Sequence, residues 1–190
     1  IVCSMLMIGC SNSLPQLPAV IDKAVRSAEK QSLLMAQKYS GQEGRLPRSY
    51  ENGEDISSDS RWWCSGFFPG TLWYVYENTR NPEVLKYAEI YTDRVEREKD
   101  TTENHDVGFM LYGSVGNGLR LTGNERYKEV LLTGARSLST RYRPQVGLIR
   151  SWDHNQDIWQ YPVIIDNLMN LELLLWAAGY SDDSTFRDIS

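Results

Sequence analysis

The sequence has few of the residues that build covalent or metal-bound scaffolds. It holds only three cysteines, two of them within the first ten residues, and two histidines, His105 and His154. So few cysteines predict no disulfide framework. No cysteine pair or glutamate stands at ligand spacing from either histidine, so we also predict no zinc site, and we expect no cofactor. The chain also has no glycine-rich phosphate loop and no serine nucleophile elbow.

The chain also lacks clustered positive charge and long hydrophobic runs. Its 20 lysines and arginines stand against 25 acidic residues, for a formal charge of −5, and no basic stretch could follow a phosphate backbone. The apolar run Ile1–Gly9 is too short to span a bilayer. Since 41% of the residues are hydrophobic and 11% aromatic, we predict a globular chain with no nucleic-acid partner.

The aromatic residues are unevenly distributed among the three types. Six tryptophans and eleven tyrosines accompany only four phenylalanines, which favours rings that carry a polar edge. Two interpretations follow: an aromatic-lined cleft open to water, or rings that straddle the surfaces of helices.

The two ends of the chain suggest that it is part of a longer protein. Met7-Ile8-Gly9-Cys10 resembles the lipobox of bacterial lipoproteins, so we expect residues 1–14 to be a signal-peptide remnant with lipobox and linker. Cys10 would then carry the lipid and anchor the protein in the bacterial periplasm or cell envelope, with Cys64 left as a small buried side chain. At the other end, Asp182-Asp183-Ser184 is a helix-cap signal about two turns before Ser190, which predicts truncation there.

Residues 15–190 predict an all-α domain. Apolar residues recur at helical spacing from Val20 to Ala28, from Val84 to Val95 and from Tyr127 to Leu138, which indicates three amphipathic helices. Between them lie segments that are apolar nearly all round and are predicted to be buried on most faces: Phe67–Tyr76, Val107–Leu121 and Pro162–Ala178. Only residues 145–152 suggest a short extended piece.

A faint repeat connects the two kinds of helix. Asn81, Asn124 and Asp183 each follow a buried segment and stand where a helix is predicted to begin. Alternating outer and inner helices describe either an α-solenoid or a closed α/α toroid. The uneven spacing of the caps and the long loops between outer and inner helices favour the toroid, with a cleft at one end.

Three junctions that precede buried helices carry the candidate chemistry: Arg61–Gly70, Asn104–Phe109 and Asp157–Asn167. In a toroid they converge at one rim. Asp106 stands at the start of its predicted helix, where it could simply be an N-cap. Asp166 is predicted about one turn after the helix start at Pro162, on a stripe with Asn167 and Asn170 that needs a polar cavity or polar partners.

Glycines and tryptophans accompany these junctions. The predicted helix after Asp106 contains Gly108, Gly113, Gly116 and Gly118, each costing about 1 kcal/mol relative to alanine. Close approach of neighbouring inner helices would explain them, and so would space for a ligand above Gly108. The junction tryptophans could stack on a sugar ring or pack in the core: Trp62, Trp63, Trp152 and Trp159.

Three ordered motifs resemble the unsaturated glucuronyl hydrolases of glycoside hydrolase family 88. They are Asn104-His105-Asp106-Val107-Gly108-Phe109, Arg150-Ser151-Trp152-Asp153, and Ile165-Asp166-Asn167-Leu168-Met169-Asn170-Leu171. The resemblance implies an (α/α)6 toroid of twelve helices, of which this chain would hold about the first half. It also implies hydrolysis of Δ4,5-unsaturated glucuronyl residues at the non-reducing end of lyase-generated oligosaccharides, by hydration of a vinyl ether.

The resemblance also implies roles for individual residues. Asp166 would be the general acid/base and Asp106 the second catalytic carboxylate, which holds sugar hydroxyls and influences the protonation of Asp166. His105, Trp152 and Asn167, with Trp62 or Trp63, would line the substrate pocket. Two alternatives stay open: an unsaturated rhamnogalacturonyl hydrolase of related fold, and a non-catalytic sugar-binding helical lipoprotein.

Overall fold

The computed structural model describes residues 16–190, and it is predominantly helical. The predicted lipobox, with Cys3 and Cys10, lies outside the described residues. The helices are α1 (Leu17–Ser40), α2 (Phe67–Thr79), α3 (Pro82–Glu96), α4 (Val107–Leu111), α5 (Asn117–Thr122), α6 (Glu125–Ser139), α7 (Asn167–Tyr180) and α8 (Thr185–Ile189). A 3₁₀ turn (Arg97–Asp100) follows α3, and a π-helical turn (Tyr112–Gly116) joins α4 to α5.

The outer helices begin where the sequence predicted. Asn81 accepts a hydrogen bond from the Glu83 amide at 2.9 Å and so caps α3, while Asn124 accepts from the Arg126 amide at 3.1 Å and caps α6. Asp183 accepts in the same way from the Thr185 amide at 2.9 Å, at the start of α8. Each side-chain oxygen satisfies an amide that has no partner within its helix.

The helices form two layers. The mostly apolar α2, α4–α5 and α7 form the inner layer, in which α4 packs against α7 and α2 packs against α5. The outer layer contains α1, α3 and α6, with α8 packed on α6 and α7. Trp73 of α2 is fully buried between the layers, and its indole N–H donates to the Thr92 hydroxyl at 2.8 Å. The predicted alternation of outer and inner helices is therefore confirmed.

Glycines let the inner helices approach one another closely. A Cβ on Gly108 would lie 2.6 Å from the backbone of Asn170 in α7, and one on Gly66 would lie 2.2 Å from the carbonyl oxygen of Met110. No real side chain tolerates such contacts, so close packing explains Gly108, and the alternative of ligand space above it is wrong. Gly118 meets the rings of Tyr127 and Trp73 in the same way.

Two hairpins interrupt the helices. Strands β1 (Leu46–Glu51) and β2 (Glu54–Ser58) pair antiparallel between α1 and α2, which the all-α prediction did not include. Strands β3 (Tyr142–Arg143) and β4 (Leu148–Ile149) pair within the loop before α7, close to the extended piece that the sequence suggested. The first hairpin escapes sequence analysis because most side chains of β1 are exposed and neither strand shows apolar alternation.

One face of the inner layer is open. Ile165 is 82% exposed and Leu168 is 64% exposed, and Met169 and Leu175 of α7 also face outward. The prediction that Pro162–Ala178 is buried on most faces is therefore wrong for the described chain, in which α7 buries one face. Trp176, which belongs to this segment, is partly buried against the core and lines a cavity of about 930 Å³ on this open side. Within residues 16–190, no helix has the length and apolar character needed to cross a bilayer.

Candidate active site

The three junctions converge as predicted. They surround a cavity of about 920 Å³ at one end of the helical layers. Its walls contain the predicted site residues Trp62, Trp63, His105, Asp106, Trp152 and Asp166, together with Arg61, Glu103, Asn104, Ser151, Asp153, His154 and Ile164. Tryptophans, carboxylates and an imidazole therefore share one cleft.

Asp106 lies directly before α4, but its side chain does not cap that helix. The amide of Phe109, in the first turn of α4, instead donates to the side-chain oxygen of Asn170 at 2.9 Å. Asn170 comes from α7, so a neighbouring helix supplies the cap and leaves the Asp106 carboxylate free to face the cavity. The interpretation of Asp106 as a simple N-cap is therefore wrong.

Asp166 occupies the corresponding position before α7. The helix begins at Asn167, so Asp166 lies at its N-terminus and not one turn inside it, as the sequence had predicted. Its side chain makes no capping hydrogen bond, and its Oδ1 atom is buried with no hydrogen-bond partner among the described residues. Both carboxylates thus stand at the start of an inner helix without capping it.

His105 joins the two carboxylates. Its Nε2 atom lies 3.3 Å from Oδ1 of Asp106 and 3.5 Å from Oδ2 of Asp166. Its Nδ1 atom lies 2.6 Å from the side-chain oxygen of Asn167. The ring is almost fully buried, whereas about a third of the Asp166 side chain is exposed to the cavity. The imidazole is therefore the buried centre of the cluster, and Asp166 is its most accessible member.

The environment of Asp106 favours a proton on its carboxyl group. Burial raises the pKa of Asp106 above the usual aspartate range, because a desolvated carboxylate loses its hydration. His105 lowers this pKa, the negative charge of Asp166 raises it, and Arg141 lowers it, but the net direction is upward. A carboxyl group that stays protonated to a higher pH than usual can act as a proton donor at moderately acidic pH.

Backbone contacts fix the two loops that carry these residues. The His105 amide donates to the Ser151 carbonyl at 3.0 Å, and Asn104 forms an isolated antiparallel bridge with Trp152. The buried guanidinium of Arg141 donates to the carbonyl oxygens of Thr102 and Arg150. Since it also pairs with Asp153 at 3.1 Å, Arg141 ties both loops to the end of α6.

Aromatic rings form two walls of the cavity. Trp152 stacks on His154, with ring centroids 5.3 Å apart, and meets the edge of Trp159 at 5.9 Å. The guanidinium carbon of Arg48 lies over the Trp62 ring, 3.7 Å from the ring centroid, and Trp62 is 36% exposed. Trp63, which is more exposed, packs edge-on against Phe67 and Phe109. The structure thus places Trp62, Trp63 and Trp152 at the cleft.

Asn167, which we predicted to contact the substrate, does not line the cleft. Its side chain is buried, and both ends of its amide are engaged: the oxygen with His105 and the nitrogen with the Ile149 carbonyl at 2.7 Å.

Sequence analysis did not identify two residues that support the site: Asn170, which caps α4, and Arg141, which connects the two loops. The polar stripe on α7 was a signal for Asn170, whereas nothing in the local sequence marks Arg141.

One group of described residues has the composition of a cation site. His105, Asp106 and Asp166 each present a ligand-type atom, all within 4.8 Å of one another. Two carboxylates and an imidazole adopt the same spacing when they share a proton. The absence of a metal and of any cofactor stays a prediction.

Among the described residues, Cys64 is a free thiol. Burial raises its pKa, so the thiol stays protonated near neutral pH. Cys64 is not among the residues that line the cleft.

The fold and the site together define a class: an α/α-layered protein with two carboxylates and an imidazole at the rim of its inner helices. No protein-family model matches the chain. The chain is 42% identical over 148 residues to an unsaturated glucuronyl hydrolase of Formosa agariphila, a match that covers 76% of this chain and 37% of the relative. It is 28% identical over 178 residues to an unsaturated chondroitin disaccharide hydrolase of Streptococcus agalactiae, covering 90% of this chain and 43% of the relative.

Solved structures give the same result. A crystal structure of an unsaturated glucuronyl hydrolase specific for heparin superposes with a TM-score of 0.78 at 38% identity, covering 88% of this chain and 46% of that one. The enzyme from Streptococcus agalactiae superposes with a TM-score of 0.82 at 25% identity, covering 94% and 45%. By sequence and by fold, the chain is a relative of the unsaturated glucuronyl hydrolases, and the resemblance drawn from the three motifs is confirmed. The chain spans less than half the length of these relatives.

Proposed function

We propose that the protein containing this chain hydrolyses Δ4,5-unsaturated glucuronyl residues from the non-reducing end of glycosaminoglycan-type oligosaccharides. The observation that carries the proposal is the pair Asp106 and Asp166, held on either side of His105 Nε2 in an aromatic cleft. The relatives support it, since their names describe hydrolases of unsaturated glucuronyl and chondroitin disaccharide substrates.

Asp166 is the residue placed to exchange a proton with the sugar. It is the more exposed of the two carboxylates, because 34% of its side chain is exposed against 18% of that of Asp106. The protonated carboxyl delivers its proton to C4 of the double bond, and the resulting carboxylate takes a proton from the water that adds at C5. The hemiketal so formed opens, and the glycosidic bond is lost.

Asp106 and the aromatic walls hold the sugar during this step. A carboxyl group with a raised pKa donates a hydrogen bond more readily than an ordinary aspartate, which suits contact with a sugar hydroxyl. Trp152 offers a ring face, already stacked with His154, on which the unsaturated ring can lie. The distance between the two carboxylates carries no stereochemical meaning here, because the reaction adds water to a double bond and does not displace a group at the anomeric carbon.

The direct test measures the loss of ultraviolet absorbance of an unsaturated disaccharide, with the complete gene product. The Asp166→Asn variant is isosteric and cannot supply a proton, so we expect activity to fall by roughly 10²- to 10⁴-fold. Asp157→Asn, which makes the same change in an exposed part of the loop before α7, is the matched control and keeps full activity. Full activity in Asp166→Asn contradicts the assignment, and faster turnover of a pectin-derived unsaturated substrate favours a rhamnogalacturonyl hydrolase.

We also propose that the protein is attached to the bacterial cell envelope through a lipid on Cys10. The support is the lipobox-like Met7-Ile8-Gly9-Cys10 followed by the polar residues Ser11-Asn12-Ser13. Metabolic labelling with a radioactive fatty acid tests this: label that Cys10→Ser abolishes supports the anchor, and an unlabelled wild-type protein contradicts it.

A further inference from the structure

A hydrogen bond joins the buried side chains of Asn167 and His105. The two residues are 62 positions apart, and Nδ1 of His105 lies 2.6 Å from the side-chain oxygen of Asn167. A buried amide in contact with the imidazole of a catalytic cluster constrains which ring nitrogen carries the proton.

The orientation of the Asn167 amide follows from its other contact. One end lies 2.7 Å from the backbone carbonyl of Ile149, and a carbonyl oxygen can only accept. That end must therefore be the NH₂ group, and the end that faces His105 must be the amide oxygen. Because an amide oxygen also can only accept, Nδ1 of His105 must carry a hydrogen and donate it.

The tautomer decides what Nε2 can do. A neutral imidazole protonated at Nδ1 has a free electron pair at Nε2, so it accepts a proton there. The two atoms nearest to Nε2 are Oδ1 of Asp106 and Oδ2 of Asp166, at 3.3 and 3.5 Å. A proton placed among these three atoms can be held by either carboxyl group and by the ring.

We propose that Asn167 is a positioning residue that fixes the Nδ1–H tautomer of His105, and thereby leaves Nε2 to share one proton with Asp106 and Asp166. This inference rests on the proposed function, because it explains how Asp166 is supplied with the proton that it delivers. It also replaces the substrate contact that the sequence predicted for Asn167.

Other charged groups surround the cluster and act on its titration. The buried Arg141, which packs from the end of α6, favours the ionised form of Asp106 and so opposes the sharing of a proton. The remaining titratable groups that line the same cavity are Arg61, Glu103, Asp153 and His154.

The tautomer is measured directly by the ¹⁵N resonances of the imidazole in the complete gene product near neutral pH, assigned by comparison with a His105→Gln variant. We expect Nδ1 to be protonated throughout, and Nε2 to be unprotonated whenever a neighbouring carboxyl group holds the shared proton. A ring protonated only at Nε2, or doubly protonated throughout the neutral range, overturns the proposal. This readout needs no turnover, so an absence of hydrolase activity contradicts the proposed function without affecting this result.

Two variants separate the roles of the Asn167 amide. Asn167→Asp keeps an oxygen acceptor for Nδ1–H but loses the donor to Ile149, whereas Asn167→Leu loses both. We expect the Nδ1–H tautomer to persist in the aspartate variant and to disappear in the leucine variant. If the tautomer persists in both, another group fixes it and the proposal is wrong. Since wild type alone is informative, misfolding of a variant does not remove the test.

The pH profile of hydrolase activity gives a second readout, and the direction of its shift is predicted. An Nε2–H group donates to a carboxylate and stabilises its charged form, so the alkaline limb of the pH profile of kcat moves to lower pH in Asn167→Leu. We expect kcat near neutral pH to fall roughly 10- to 100-fold with KM nearly unchanged. Asn117→Ala is the matched control, because Asn117 is an equally buried helical asparagine outside the cleft. An unshifted profile with an equal loss in Asn117→Ala indicates a merely structural effect and overturns the proposal.

Discussion

Replacing Gly108 with alanine tests the link between helix packing and the site. Gly108 lies in the first turn of α4, two residues after Asp106, and its Cα faces the backbone of Asn170 in α7. An added Cβ would lie 2.6 Å from three atoms of Asn170, where ordinary contact begins near 3.4 Å. Because two of these atoms belong to the backbone, the helices must move apart by several tenths of an ångström.

The energetic effect has two opposing parts. Overpacking of this kind typically costs about 1–3 kcal/mol, whereas alanine gains up to about 1 kcal/mol of helix propensity over glycine. We therefore expect Gly108→Ala to lower the free energy of unfolding by about 1–2 kcal/mol. The same separation moves Asp106 away from Asp166, and since a misplacement near 1 Å can cost about 10²-fold in rate, we expect kcat to fall about 10- to 100-fold.

Urea denaturation measures the first effect, and the absorbance assay with an unsaturated disaccharide measures the second. Gly179→Ala is the matched control, because an added Cβ at Gly179 in α7 meets no atom within 4 Å. This control should be neutral or slightly more stable, with unchanged kcat. A Gly108→Ala protein that is as stable and as active as wild type would refute the reasoning.

Three further predictions follow from individual contacts. Burial raises the folded-state pKa of Asp106, so ionisation of this carboxyl group destabilises the fold progressively as the pH rises above the ordinary aspartate range. Asp106→Asn should therefore be more stable than wild type at pH 7. Urea denaturation at several pH values should show this difference in stability decreasing towards pH 4. Trp73→Phe breaks the buried hydrogen bond to Thr92 and leaves a small cavity, which should cost about 1–3 kcal/mol by thermal or urea denaturation, and less when Thr92→Val is combined with it. Treatment with a chelator should leave hydrolase activity unchanged, and a loss that divalent cations restore would contradict proton sharing by the cluster.

The helices and their caps could be predicted from sequence because their signals are local. The apolar spacing of α3 and α6 and the cap residues Asn81 and Asn124 lie within a few positions of the structure that they specify. The convergence of the junction loops was predicted from the alternation of outer and inner helices, which is also a pattern along the chain. These features needed no knowledge of which residues touch across the fold.

The contacts that give the site its chemistry could not be predicted in this way. Asn170 caps α4 from a position 61 residues away, and Asn167 orients His105 from 62 residues away. No local pattern reports a pairing over such a distance. Sequence analysis placed Asp166 inside a helix for a related reason: Val163, Ile164 and Ile165 extend the apolar run, but the chain turns there and α7 begins only at Asn167.

A single point of contact sets both the packing of the inner helices and the geometry of the two carboxylates. The side-chain oxygen of Asn170 accepts from the Phe109 amide at the start of α4, and its nitrogen donates to the Asp166 carbonyl at 3.3 Å. The backbone of Asn170 packs directly against Gly108. Because α4 is capped from α7, Asp106 does not have to cap it, and its carboxylate can turn to His105. The stability of this helix pair and the placement of its acid groups therefore depend on the same residues, so a substitution that loosens one should disturb the other.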